Sequence, residues 1–392
     1  MSLSQGRAYL AIPGPSVMPD AVLRAMHRAS PNIYEGELHD LTASLIPDLR
    51  RVARTTGDVA IYIGNGHAAW EASLANLCAP GDRVLVLCTG RFGHGWAEMA
   101  EKLGLVVDVL DFGQTATVDA GRVTAALAAD TDGAIKAVLV CQTDTSTGIR
   151  NDVAALRGVL DAAGHAALLM VDCMASLGCD VFEMDAWGVD VMVAGCQKGL
   201  MTPAGLAFVF FNARAAARQV ARVSAWWDWT PRARPAQFYQ YFDGTAPTHH
   251  LYGLRAALDM IGAEGLENVW TRHAVLSRAI WAACDVWGSA GPLRLNVTDA
   301  GLRSHSVTSI GLEAGQGDAL RRWCEHTAGL TLGIGLGREP ADAWFRLGHM
   351  GHVNAQMILG LVATLEAGLI ACRIPHGAGG ARAAAEVIAA AS

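Results

Sequence analysis

Short apolar runs alternate along this chain with stretches whose apolar residues recur at helical spacing. The runs VAIYI (59–63), RVLVLC (83–88), LVVDVL (105–110), AVLVC (137–141), ALLMVDC (167–173), VMVAG (191–195) and LAFVFF (206–211) have strand length and almost no polar interruption. Continuous rather than alternating apolarity marks strands buried on both faces, as in a parallel sheet. Segments between them, such as HAAWEASLANL and DVAALRGVLDAAG, read as helices. The pattern therefore predicts an α/β architecture: a large domain with a mostly parallel sheet flanked by helices.

The strand rhythm stops near residue 212. The aromatic stretch AWWDWTPRARPAQFYQYFDGTAP that follows contains three prolines and reads as a long functional loop or a crossing between domains. Helical patterns resume at LYGLRAALDMI and lead into a smaller α/β segment. The expected organisation is an N-terminal arm (1–20), a large domain (21–254) and a smaller C-terminal domain (255–392). The closing GGARAAAEVIAAAS reads as a frayed or interface helix.

At 392 residues with 52% apolar and 17% charged residues, the chain has much hydrophobic surface to cover, and a sizeable subunit interface is expected. The formal charge of −7 is dispersed and no basic run offers a nucleic-acid footprint. No secretory leader or membrane-length apolar run is found, and the scattered cysteines form neither a disulfide framework nor a paired CxxC zinc pattern. A cytoplasmic protein is expected.

Candidate chemistry concentrates after strand ends, where ligands bind in open α/β sheets. Asp172 ends one apolar run, and Lys198 follows the next in AGCQKGL; the chain has only two other lysines, Lys102 and Lys136. A lysine that forms a Schiff base and a carboxylate that keeps a pyridine nitrogen protonated suit pyridoxal 5'-phosphate. The alternative is an ordinary ion pair. In IGNGHAAWEA (63–72) a strand runs into Gly-x-Gly and a helix start, a phosphate cradle or a plain glycine turn. Thr145 in CQTDTSTGIRND can bond a ring hydroxyl or serve only a turn. Phe92 can stack on an aromatic cofactor or belong to the core. Arg346 interrupts the apolar run of WFRLGHMG, where its fork suits a carboxylate or a structural salt bridge. His67 and His349 have no partners at metal-ligand spacing, so no metal site is assigned.

Taken together, IPGPSVMP, GNGHAAWEA, STGIRND, VDCMASLG, GCQKGL, GTAP and RLGHMG resemble the class V aminotransferases, in the alanine–glyoxylate, serine–pyruvate and serine–glyoxylate branch. The resemblance spans nearly the whole chain. It implies the pyridoxal-phosphate fold type I and a homodimer that transfers an amino group from alanine, serine or aspartate to glyoxylate or pyruvate. It also implies Lys198 as the Schiff-base lysine and Asp172 as the pyridinium partner. Asn65, Gly66, His67 and Gln197 would hold the phosphate, with Thr245 reaching it from the neighbouring subunit. Thr145 would contact the ring hydroxyl and Arg346 would grip the substrate carboxylate.

Departures from that pattern are Phe92 where the family often has Trp or Tyr, Phe242 in place of Tyr, Cys196 before Gln197-Lys198, and Pro203-Ala204-Gly205 in place of Pro-Pro-Gly. A related activity, pyridoxamine–pyruvate transamination, shares RxGHMG and Asp228-Trp229, with Arg338 as a possible second carboxylate ligand. A desulfurase of the same fold would need a nucleophilic loop cysteine, but Cys324 and Cys372 sit in helical patterns.

Overall fold

The computed structural model describes residues 2–391. Its centre is a seven-stranded sheet of Asp58–Gly64, Gly205–Phe211, Val191–Gly195, Leu168–Asp172, Ile135–Cys141, Arg83–Cys88 and Val106–Asp111, in that spatial order. Gly205–Phe211 runs antiparallel to both neighbours, and the remaining pairings are parallel. The carboxyl ends at Gly64, Cys88, Asp111, Cys141, Asp172 and Gly195 consequently share one edge of the sheet. The inner strands Leu168–Asp172 and Val191–Gly195 are buried along their whole length, and Ile135–Cys141 everywhere but at Lys136, as their apolarity requires.

Short polar residues start the crossover helices. The side chains of Asn65, Asp119 and Asp152 each accept a backbone N–H from the first turn of Gly66–Leu77, Ala120–Ala129 and Val153–Ala162. These caps set where each helix begins and hence which residues stand at the sheet edge.

A second, five-stranded sheet orders Tyr9–Ala11, Leu330–Ile334, Trp344–Gly348, Val307–Gly311 and Arg294–Leu295. Its core, built from Ala11 and residues between Leu276 and Ala384, is separate from the two clusters that sandwich the large sheet. Tyr9–Ala11 pairs in parallel with Leu330–Leu332, so the N-terminal segment belongs to the small sheet. Residues just beyond it reach the large sheet, where Ser16 donates its backbone N–H to the Gln197 carbonyl and its hydroxyl to the Lys198 carbonyl.

The aromatic stretch after 212 is a long, mostly irregular connection that is pinned onto the large domain. Trp229 stacks on Phe211 at 4.2 Å, and the buried Arg232 donates to the carbonyls of Ile61, Trp226 and Tyr241. Its aromatic rings gain more by covering the sheet edge than by solvation. The alanine-rich helix Gly380–Ala389 is well formed rather than frayed: one face packs on Leu266–Gly288, with Ala384 fully buried and Gly380 against the Trp287 indole. Small side chains let the two backbones approach closely, a feature that composition alone does not reveal.

Candidate active site

One cavity of about 200 Å³ opens at the carboxyl edge of the large sheet. Asn65, Gly66, His67, Phe92, Thr145, Asp172, Gln197 and Lys198 all line it, together with Trp70, Thr143, Met174 and Ala175. A wider cleft of about 670 Å³ shares His67, Trp70 and Phe92 with it. Thr245 is exposed and lines neither space; Arg346 is not part of the cavity wall but bonds to it through Thr145.

Asp172 is 2% exposed. Its Oδ1 accepts the Met174 N–H at 2.6 Å and its Oδ2 accepts the Trp70 indole N–H at 2.7 Å. Burial raises its carboxyl to about 6, against the lowering effect of those two donors and of Lys198. Lys198 donates from Nζ to the Pro13 carbonyl of the N-terminal segment. Burial, and then the Arg346 charge, lowers its amine to about 8, while Asp172 opposes the shift. Gly14 adopts φ +94°, and a Cβ there would collide with the Lys198 side chain, so this turn requires glycine.

At the start of Gly66–Leu77, the Asn65 side chain takes the His67 amide and its carbonyl takes the Ala69 amide. Those of Gly66 and Ala68 donate to no described residue, which leaves donors for an anion at a positive helix end. Nearby, the buried Gln197 Oε1 has no hydrogen-bond partner.

Arg346, 7% exposed, stands on Trp344–Gly348 of the small sheet. Nε donates to the Ile334 carbonyl and Nη1 to the Thr145 carbonyl, both at 2.8 Å, while Nη2 donates to no described residue. Burial lowers it to about 10, with Asp144 opposing. Arg338 sits apart: it bonds Asn296 Oδ1 at 2.5 Å and Gln114 Oε1 at 2.7 Å and lies over the Trp344 ring. All three partners are neutral.

Sequence reasoning missed Asp144, Trp70 and the Pro13–Gly14 turn. Asp144 Oδ2 accepts the amides of Phe92 and Gly93, and its Oδ1 accepts both the amide and hydroxyl of Ser146. It thereby caps Arg91–Lys102 from another element, since the residue that precedes that helix, Gly90, has no capping side chain. The Asp within the hydroxyl-rich CQTDTSTG segment was the available signal. No local pattern ties a helix to a cap more than fifty residues away.

A lysine amine, a buried carboxylate, an aromatic ring and free amides around one polar-edged cavity define an α/β enzyme with a site suited to a phosphorylated pyridine aldehyde. The pattern that defines Aminotransferase class-V matches residues 8–341. The chain is 38% identical over 380 residues to serine–glyoxylate aminotransferase of Methylorubrum extorquens, covering 93% of this chain and 92% of that one. It is 34% identical to L-aspartate–glyoxylate aminotransferase of Paracoccus denitrificans, covering 96% and 94%. The crystal structure of pyridoxamine–pyruvate aminotransferase from Mesorhizobium loti superposes with a TM-score of 0.90 at 26% identity, over the full length of both chains. This chain belongs to the class V aminotransferases and is a pyridoxal-phosphate-dependent transaminase of fold type I. Among the described residues no helix is long and apolar enough to cross a membrane.

Proposed function

We propose that this transaminase moves an amino group from a small amino acid, alanine, serine or aspartate, to glyoxylate or pyruvate. The carrying observation is the single guanidinium of Arg346, anchored through Nε and Nη1 with Nη2 uncommitted, beside a cavity of about 200 Å³. That arrangement suits one carboxylate on a short chain. The named activities of the relatives from Methylorubrum and Paracoccus support the same substrate class.

The cavity residues fit the cofactor: the uncommitted amides of Gly66 and Ala68 and the orphaned Gln197 Oε1 are polar groups left for a ligand. Asn65, Gly66, His67 and Gln197 would hold the phosphate, Thr145 the ring hydroxyl and Phe92 a ring face. When bound, pyridoxal phosphate supplies an aldehyde that carries the amino group and a ring that delocalises an electron pair. Asp172 keeps a proton on the ring nitrogen through a charge-assisted bond. Lys198 Nζ would tether the cofactor through its aldehyde carbon, and as a free amine it would be the base that moves the substrate Cα proton, a role that its lowered basicity suits. Arg346 fixes the carboxylate so that this proton lies within reach of Nζ.

We further read the enzyme as a cytoplasmic homodimer of large (21–254) and small (255–392) domains behind an arm (1–20). Free thiols at all nine cysteines suit a reducing compartment. Exposed Tyr34 and Tyr239, with Thr245 on an exposed turn, suit a subunit contact that sends Thr245 to the neighbour's phosphate.

The test is a donor and acceptor matrix followed through cofactor absorbance in each half-reaction. Rapid half-reactions with alanine, serine or aspartate and with glyoxylate or pyruvate are expected. Turnover of pyridoxamine alone would instead support the second activity, which the Mesorhizobium structure and the uncompensated Arg338 favour.

A further inference from the structure

Trp70 touches three of the cavity residues at once. Its indole N–H donates to Asp172 Oδ2 at 2.7 Å, its ring meets His67 edge-on at 4.8 Å, and it meets Phe92 edge-on at 6.3 Å. Behind it, Trp96 stacks at 5.9 Å with planes 13° apart, so the indole has little freedom to turn. A core tryptophan would show the same burial. The acceptor distinguishes the two: the buried indole nitrogens of Trp96, Trp229, Trp270 and Trp287 have no partner among the described residues, and that of Trp281 donates to the neutral Thr308 hydroxyl. This chain tolerates orphaned indoles in its core, yet Trp70 spends its donor on the one carboxylate that faces the cavity.

We infer that Trp70 is a positioning residue: its indole N–H fixes the Asp172 carboxylate and keeps it ionised opposite the cofactor's ring nitrogen. The inference rests on the reading of Asp172 given above. An ionised carboxylate accepts through about four lone-pair positions. Met174 occupies one on Oδ1, and Trp70 and the Cys141 thiol, at 3.9 Å, lie on Oδ2. The one remaining position, on Oδ1, is left for the ring N–H. Without the indole, the buried Oδ2 keeps only a weak thiol donor. Burial then favours the neutral carboxyl, which draws the proton from the ring nitrogen. Asp144 adds a further negative charge in the same direction.

The experiment uses holoenzyme carrying cofactor labelled with nitrogen-15 in the ring, as wild type, Trp70→Phe, Asp172→Asn and the double variant. The ring resonance is expected at the pyridinium position in the wild type and displaced toward neutral pyridine in Trp70→Phe. The donor half-reaction should slow by about ten- to a hundredfold, the range for losing a hydrogen bond to a charged group. In the Asp172→Asn background, adding Trp70→Phe should change resonance and rate by less than about twofold, because coupled residues are not additive. Trp96→Leu removes the stacking without touching the Trp70 N–H; it should lower the melting temperature and leave the resonance in place. A Trp70→Phe resonance that stays at the pyridinium position while Asp172→Asn moves it overturns the role of Trp70 alone. If Asp172→Asn also leaves it unmoved, the ring-nitrogen reading of Asp172 falls with it.

Discussion

Lys198 should behave as a far weaker base than an ordinary lysine, and the cofactor-stripped protein offers a direct measurement. Three groups act on its amine besides burial: Arg346 lowers it, while Asp172 and Cys179 raise it, with a net value of about 8. At pH 7.5 about a quarter of such amines are unprotonated, against roughly one in a thousand for an unperturbed lysine. Its reactivity toward an aldehyde or an arylating reagent should therefore exceed that of an unperturbed lysine by about two orders of magnitude at that pH. Peptide mapping after borohydride reduction, repeated across pH 6–11, gives the midpoint for each lysine. Arg346→Gln removes a repelling charge and should move the Lys198 midpoint upward; Asp172→Asn removes an attracting one and should move it downward. The linkage sign is equally definite. Between about pH 8 and the ordinary lysine range the unfolded chain binds more protons than the folded one. Stability therefore rises with pH across that window, and the cost of the buried amine is fully present below it. A Lys198 midpoint near 10, or labelling that favours Lys102 or Lys136, would refute the reasoning.

Arg346→Lys keeps the charge but loses the fork, so kcat/KM should fall about ten- to a hundredfold for donor and acceptor alike, with cofactor absorbance unchanged; steady-state kinetics on both half-reactions decides it. Gly14→Ala puts a methyl group where Lys198 lies and strains a backbone at φ +94°. Recombination of the stripped protein with cofactor should slow about five- to thirtyfold, the scale set by about 1–2 kcal/mol of left-handed strain. Mixing Thr245→Ala with Lys198→Ala subunits should restore activity beyond either parent, because one site of the mixed dimer is then complete; no gain on exchange would remove Thr245 from the neighbour's site.

Strand order along the chain was readable because strands buried on both faces write themselves as unbroken apolar runs, and the cavity residues follow those runs directly. Asp172 and Lys198 stood out for the same reason: each is a charge at the end of an apolar strand, and lysine is scarce. Asp144 was not legible, since its partners, the amides of Phe92 and Gly93, become neighbours only when Arg83–Cys88 and Ile135–Cys141 pair. Trp70 was hidden by being apolar: helical spacing assigns it to the core, and only the structure shows where its single donor goes. The Pro13 carbonyl has no side-chain signature at all. Placing it beside Lys198 needs the pairing of Tyr9–Ala11 with Leu330–Leu332.

The edge strand Asp58–Gly64 has one partner in the sheet, Gly205–Phe211, which the ribosome makes about 150 residues later. At typical synthesis rates of about 5–20 residues per second, the strand waits roughly 7–30 s before its hydrogen bonds can be completed. During that interval VAIYI is an apolar segment of high strand propensity with an open edge, the kind that recruits other nascent chains. The yield of this protein in a cell should thus depend on translation speed between codons 64 and 211 and on chaperone occupancy of that window, more than on the stability of the finished fold.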